Sequence, residues 1–282
     1  MDQSTEQVLQ QLSLGIEKLG ESGAWRAWLA TQAKFHKYSF ANSVLIFSQK
    51  PNATQVAGFA RWLELGRHVR KGEHGIGILA PIVVRRQDPA SCDQSGAGGR
   101  ELTGFRRATV FDISQTEGAE LPKPCARLTG SEGVVAELEL RRIAMQNGFS
   151  VELHEFVGET NGDCNHAAAR IRIRAGLTQA QTVKTLAHEV AHALLHQTVS
   201  SREIAELEAE SVAYGYCLAR GIDSSSYSFG YLAAWAGGAA EAKEAIRASG
   251  QNIQKALHWM LGQEADPATR AKDPAPASAT AA

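Results

Sequence analysis

Between Gln179 and Gln197 the apolar residues Val183, Leu186, Val190, Leu194 and Leu195 recur at roughly helical spacing, and neither Gly nor Pro interrupts the run. Thr178-Gln179-Ala180-Gln181 just before it has the form of a capping box, with Thr178 as N-cap. A second helix is expected from Arg202 to Arg220. A third is expected from about Ser131 to Gln146, with Val134, Leu138 and Met145 on one apolar face and Val135 beside them. Strand periodicity replaces helical periodicity at Ala169–Arg174, where Ala-Arg-Ile-Arg-Ile-Arg alternates strictly, and Ile76–Ala80 and Ala108–Ile113 also read as strands. The Gly- and Ser-rich stretch Asp88–Gly99 reads as a loop and Ala119–Pro124 as a linker. The Ala-, Pro- and Thr-rich tail from about Glu264 has the composition of a disordered segment. The pattern predicts an α+β chain with one domain over residues 8–122, a second over 128–262 and a tail over 264–282. No internal repeat is visible.

The helix after Thr178 carries candidate chemistry. His188-Glu189-Val190-Ala191-His192 places two imidazoles one turn apart on the same face, where both can hold one metal ion. Glu189 then stands where a general base for a metal-activated water is needed. On a largely apolar helix such a cluster is costly unless metal or hydrogen bonds satisfy it. A catalytic zinc takes three protein ligands, and the third is sought on the next helix. Around Glu208, the residues Ile204, Ala205, Ser211, Val212 and Gly215 form a small, mostly apolar face suited to packing, whereas Glu203, Glu206 and Glu210 share a different face that reads as a solvated acidic stripe. Glu208 is therefore the expected third ligand, with Glu210 second. A metzincin continuation is excluded because Leu195 and Thr198 stand where Gly and a third ligating His belong; His196 reads as a helix-terminal residue or an outer partner of the site. Tyr214, Tyr216, Tyr227, Tyr231, His154 and His166 are all candidates for a donor to a developing oxyanion, and the sequence does not choose among them.

These residues resemble a known arrangement. His188–His192 followed by Glu208-Ala209-Glu210-Ser211-Val212-Ala213 is similar to the gluzincin pattern, and Leu186–His196 resembles the ImmA/IrrE-type metallopeptidases. The resemblance implies a zincin-like domain built on the HExxH helix. In it His188, His192 and Glu208 would hold Zn2+, Glu189 would be catalytic, and Ala169–Arg174 would be an edge strand able to hold an extended peptide.

Composition narrows the setting. With 282 residues, 44% of them hydrophobic, the chain can bury a sizeable core. No apolar run approaches the ~20 residues of a membrane span and the start lacks a signal peptide's character, so a cytoplasmic protein is expected. Cys92, Cys125, Cys164 and Cys217 show no C-x-x-C spacing, which suits free thiols. The net charge of −1 conceals an asymmetry: residues 1–127 hold 16 Lys and Arg against 12 Asp and Glu, or +4, and residues 128–282 hold 13 against 18, or −5. A basic half points to a polyanion.

Within that half, Phe35-His36-Lys37-Tyr38-Ser39-Phe40-Ala41-Asn42 interleaves aromatic and basic groups, and Trp62 leads into the basic, glycine-flanked Gly66–Gly75. Aromatic faces beside cations are what single-stranded DNA requires, although the same residues also suit a core with solvated charges around it. Three ordered motifs decide the expectation. Tyr38-Ser39-Phe40-Ala41-Asn42, then Trp62 through Arg70-Lys71-Gly72-Glu73-His74-Gly75, then Val110-Phe111-Asp112-Ile113-Ser114-Gln115 resemble the N-terminal domain of ArdC-type antirestriction proteins; Phe40 departs from versions with Gly there. The resemblance covers roughly residues 8–262. It implies an ssDNA-binding α+β domain joined to a zincin domain, in a mobile-element protein that shields incoming DNA from restriction. Lys37, Tyr38, Asn42, Trp62, Arg67, Arg70 and Lys71 are the residues it nominates for DNA. The alternatives are an ImmA/IrrE-like protease that cleaves a regulatory protein or peptide, and a non-catalytic ssDNA-binding protein with a structural metal.

Overall fold

The computed structural model describes residues 3–20, 22–85, 100–121, 132–198, 201–222 and 239–262. Three helices open the chain: α1 (Gln3–Lys18), α2 (Ser22–Lys34) and α3 (Phe40–Gln49). Ser39 caps α3 by accepting from the Asn42 N–H. A short β1 (Val56–Gly58) and α4 (Phe59–Glu64) follow, then β2 (Arg67–Val69), β3 (Ile76–Arg85), β4 (Arg100–Asp112) and, after a 3-10 turn at Ile113–Gln115, β5 (Thr116–Gly118). These strands form a three-stranded antiparallel sheet in the order β1-β4-β3 and a small β2-β5 pair. Asp112 ties the region together. Its carboxylate accepts from the N–H groups of Thr54, Gln55 and Ser114, and Gln115 completes a capping box.

The second half contains α5 (Glu132–Gln146), β6 (Ser150–His154), β7 (Gly162–Asn165), β8 (Arg170–Arg174), α6 (Gln179–Leu195), α7 (Arg202–Ala219) and α8 (Ala239–Gly262). The run of alternating Arg and Ile is a strand, but a central one: the order is β6-β8-β7, so β8 lies between parallel β6 and antiparallel β7. Its Ile171 and Ile173 are buried, and the edges of the sheet are β6 and β7. Helix α6 begins at Thr178 as predicted, whose hydroxyl accepts from the Gln181 N–H; the Gln181 side chain bonds Thr185 rather than closing the box. Helix α5 buries Ala136, Leu140, Ile143 and Ala144, so the stripe of Val134, Leu138 and Met145 faces outward. Its inner face is fixed by α6, with which it shares the core, and by Gln179, which donates to the Gly133 carbonyl and to Glu137.

The buried residues do not divide at the expected boundary near residues 122–128. One cluster joins Ile16, Trp25, Trp28 and Phe40 of the first three helices to Leu140, Ile173, Leu186, Val212 and Leu257 of the second half. Trp25 donates from Nε1 to Ser211 Oγ at 3.1 Å, linking α2 to α7. Phe40, the departure from the resembling motif, lies edge-on to Trp28 and over Gly250 of α8, where an added Cβ would meet its ring at 2.2 Å. A large ring on α3 and a bare backbone on α8 thus fill one space. The β1-β4-β3 sheet has its own smaller cluster of Phe35, Ile46, Ala53, Ile76, Ile78 and Val110. The expected loop at Asp88–Gly99 and the tail over 264–282 lie outside the described residues, as do Cys92 and Cys125; Cys164 and Cys217 are not joined in a disulfide. No helix is long and apolar enough to cross a membrane among the described residues.

Candidate metal centre

Helices α6 and α7 pack side by side, and the two histidines of α6 meet a carboxylate of α7. His188 Nε2 lies 3.1 Å from His192 Nε2. Glu206 Oε2 lies 3.3 Å from the first nitrogen and 3.7 Å from the second. Four ligands held about 2.0–2.1 Å from a zinc ion stand roughly 3.3–3.4 Å apart, the edge of the tetrahedron. The three donor atoms therefore already have the mutual spacing of three corners around one ion, and the pair of imidazoles plus a carboxylate suits a divalent cation. The Glu206 side chain is 44% exposed.

Glu208, the expected third ligand, points elsewhere. It is buried, accepts from Asn252 of α8 and lies 3.2 Å from His196 Nε2. The physical reason is helix geometry. Glu206 and Glu210 are four residues apart and share the face turned to the histidines, whereas Glu208 is rotated about 200° from Glu206. The small apolar face around Glu208 does pack, but α8 covers much of it: an added Cβ at Gly215 would meet Leu257 at 2.8 Å. The face that burial singled out is the one α8 covers, and a different face of α7 meets the histidines. Glu210 stands behind His188, its Oε2 3.3 Å from His188 Nδ1, and Lys184 lies 3.8 Å from its other oxygen.

The electrostatics follow from this crowding. Burial works to lower the His188 pKa, but hydrogen bonds to Glu206 and Glu210 outweigh it and raise the value to about 9. His192 is lowered, chiefly by burial. Glu206 is held far below the usual carboxylate range, first by its contact with His188 at 3.3 Å and then by His192 beside it at 3.7 Å. Glu189 is pushed up to about 7, first by burial and then by the charges of Glu206 and Asp163 against the opposing pull of His188.

Glu189 sits against β7. A Cβ at Gly162 would come within 3.0 Å of Glu189 Oε1 and 2.7 Å of Thr185, so this strand approaches α6 closely only because residue 162 is glycine. Cys164 lies on the same strand, its thiol pushed up to about 12 mainly by burial and secondarily by Glu189. Asp163 is paired with Arg172 of β8. Among the described oxyanion-donor candidates none is drawn to the cluster. Tyr216 is buried and bonds Ala136 and Glu139; Tyr214 lies under Arg26; His154 contacts Arg172; His166 lies 3.9 Å from Cys164 Sγ. Tyr227 and Tyr231 are outside the described residues.

Most of the residues nominated for DNA have partners within the fold. Trp62 is 2% exposed and donates to the Phe111 carbonyl at 2.9 Å, so its ring offers no face to a base. Asn42 bonds both the N–H and the carbonyl of Leu79 at 2.9 Å, fastening α3 to β3. Arg67 is spent on Thr116 and the β5 carbonyls, and Tyr38 bonds Val56 and lies edge-on to Phe35. Arg70 is exposed but bonds Glu73 and the Ser114 carbonyl. Lys37 and Lys71 are exposed and form no ion pair among the described residues. The β3–β4 ribbon adds groups the sequence reading passed over: Phe105, 51% exposed, with Arg106 and Arg107 beside it, also exposed and without an ion pair among the described residues. Their signal was an Arg-Arg pair after an aromatic on a strand.

Fold and site together define an α+β protein with a candidate divalent-metal centre of two histidines and a glutamate on adjacent helices. Residues 1–111 match the family model of the N-terminal domain of anti-restriction factor ArdC. The Mn(II)-bound crystal structure of the antirestriction ArdC protein from plasmid R388 is similar over 95% of this chain and 100% of that one, with a TM-score of 0.57 and 21% identity, a likeness of fold. The metal-free structure of that protein covers 80% of this chain and 86% of that one, at 20% identity and a TM-score of 0.45. An uncharacterized protein of Bacillus anthracis is 28% identical over 274 residues, 83% of this chain, which spans 46% of that relative's length.

Proposed function

We propose that this chain is an antirestriction-type, single-stranded DNA-binding protein of a mobile element that also carries zinc-dependent peptidase chemistry. The observation that carries the chemical half is the tetrahedral spacing of His188 Nε2, His192 Nε2 and Glu206 Oε2 beside the buried Glu189. The DNA half is supported by the match of residues 1–111 and by the plasmid origin of the similar antirestriction protein. His188, His192 and Glu206 would hold the metal. Zinc in such a site polarises a carbonyl and lowers the pKa of water to about 7. Glu189 takes the proton of the attacking water and returns it to the leaving amine. The outer edge of β7, unpaired with any strand among the described residues, runs beside Glu189 and offers an extended peptide backbone hydrogen bonds. Manganese is a second reading of the metal, favoured by the Mn(II)-bound relative and by the carboxylates of Glu206 and Glu210 at the cluster.

Lys37, Lys71, Phe105, Arg106 and Arg107 are exposed groups that would meet DNA, with phosphates on the cations and a base on the Phe105 ring. Two experiments test the two halves. Replacing both Arg106 and Arg107 with Ala should shrink the salt slope of ssDNA affinity by roughly 1.4, two phosphates at about 0.7 each; a wild-type protein with no salt-dependent ssDNA affinity would sink the DNA half. Glu189→Gln should keep the metal and lose peptide cleavage, whereas cleavage at the wild-type rate would remove Glu189 from the mechanism.

A further inference from the structure

Three histidines climb one face of α6 at intervals of four residues, and only the first two reach the metal corner. His196, at the C-cap of α6, is 8% exposed, and its two ring nitrogens are both engaged: Nδ1 lies 2.9 Å from His192 Nδ1, and Nε2 lies 3.2 Å from Glu208 Oε2. Glu208 is 3% exposed and receives the Asn252 amide at 3.2 Å on both of its oxygens. Helix α8 thus closes a buried polar chain from Asn252 through Glu208 and His196 to His192.

Proton bookkeeping gives this chain a direction. With Glu208 as a carboxylate, which can only accept, the 3.2 Å contact places a proton on His196 Nε2. In its neutral form His196 then presents a bare Nδ1. The 2.9 Å contact beside it requires a donor, and that donor is His192 Nδ1–H. His192 is left with its lone pair on Nε2, the atom that stands 3.1 Å from His188 Nε2 at the metal corner.

Resting on the metal reading above, we propose that His196 and Glu208 are positioning residues: a two-step relay, anchored by Asn252 of α8, that fixes His192 in the Nδ1–H tautomer and aims its Nε2 at the metal. A ligating histidine usually has a carboxylate or carbonyl directly behind it. His188 follows that pattern with Glu210, while His192 has an imidazole interposed. The interposed ring carries the orienting effect of a buried carboxylate on α7 to the second ligand, and makes that ligand depend on the docking of α8.

The relay is tested by zinc affinity, measured by competition with a chromophoric chelator, and by the nitrogen-15 spectrum of the histidines in the metal-free protein. His196→Leu fills the space but breaks both links, and should weaken zinc binding about 10- to 100-fold, the usual cost of losing an outer partner. His196→Gln can accept from His192 through its carbonyl and donate to Glu208 through its amide, so it should bind within about threefold of wild type. Should His196→Leu fail to fold, Asn252→Ala reads the same chain from α8, with a loss of about threefold to tenfold. Equal, undiminished affinity in His196→Leu and Asn252→Ala overturns the relay, and so does a wild-type His192 protonated on Nε2. A wild-type protein that binds no zinc or manganese defeats the metal reading instead; the tautomer still decides the relay.

Discussion

The α6–α7 site and the N-terminal motifs look alike in sequence, each a short string of chemically capable residues, yet the structure uses them differently. In His188–His192 the side chains converge on a common point on the protein surface, with a half-exposed Glu206 opposite. In the N-terminal strings the side chains turn inward: Trp62 bonds Phe111, Asn42 bonds Leu79 and Arg67 bonds β5. The difference teaches that a motif can mark the chemistry of a protein or the joints of its fold. Hydrogen-bond partners, more than residue type, separate the two cases.

The comparison can be broken most forcefully at Trp62. Trp62→Ala should destabilise the protein by about 3–5 kcal/mol in chemical denaturation, because it empties a buried site and orphans the Phe111 carbonyl. A stable Trp62→Ala protein with much weaker ssDNA binding would return the ring to the DNA surface. The opposite behaviour is expected at the site. Glu206→Gln should lower zinc affinity by on the order of 100- to 1,000-fold, about a quarter to a third of the ~10–16 kcal/mol typical of a structural zinc site, with little change in metal-free stability. Isothermal titration beside a thermal melt reads both quantities.

The joint between the two regions comes next. Gly250→Ala pushes a methyl group into the Phe40 ring and should cost about 1–3 kcal/mol, visible as a single earlier melting transition. Two separate transitions, only one of them shifted, would show that the halves fold independently despite their shared core.

The smallest effect concerns acid. Burial works to raise the Asp112 pKa, but the hydroxyl of Ser114 and the N–H groups of Thr54, Gln55 and Ser114 outweigh it, so its folded value lies below the usual one. A depressed carboxylate contributes stability that is fully present above its unfolded pKa and is lost as pH falls through the folded value. Asp112→Asn should therefore cost about 0.5–2 kcal/mol near neutral pH, and the difference from wild type should shrink below about pH 4. A constant difference down to pH 2 would remove Asp112 from the acid response.

Helix α6, its N-cap and its two histidines were legible because they lie within one continuous period, where spacing fixes geometry. Central β8 was legible as a strand but not by its place in the sheet, since β7, Gly162-Asp163-Cys164-Asn165, carries no alternation to announce a strand on its far side. Which carboxylate of α7 stands beside the two histidines was not legible. Helix α7 is buried on several sides at once, from Ala205 to Cys217, and the sequence does not say which face meets α6 and which meets α8. The stripe of Val134, Leu138 and Met145 misled in the same way, by offering an apolar face that Ala136, Leu140 and Ile143 displaced.

The central claim is that His188, His192 and Glu206 form one metal centre, with Glu208 behind it. A crystal structure of the zinc-loaded protein, with the ion located by its anomalous scattering, tests this most directly. The account predicts a single ion bonded to His188 Nε2, His192 Nε2 and a Glu206 oxygen at about 2.0–2.2 Å, with Glu208 still on His196. An ion bonded to Glu208 with Glu206 in solvent, or no ion between the two histidines, would contradict it.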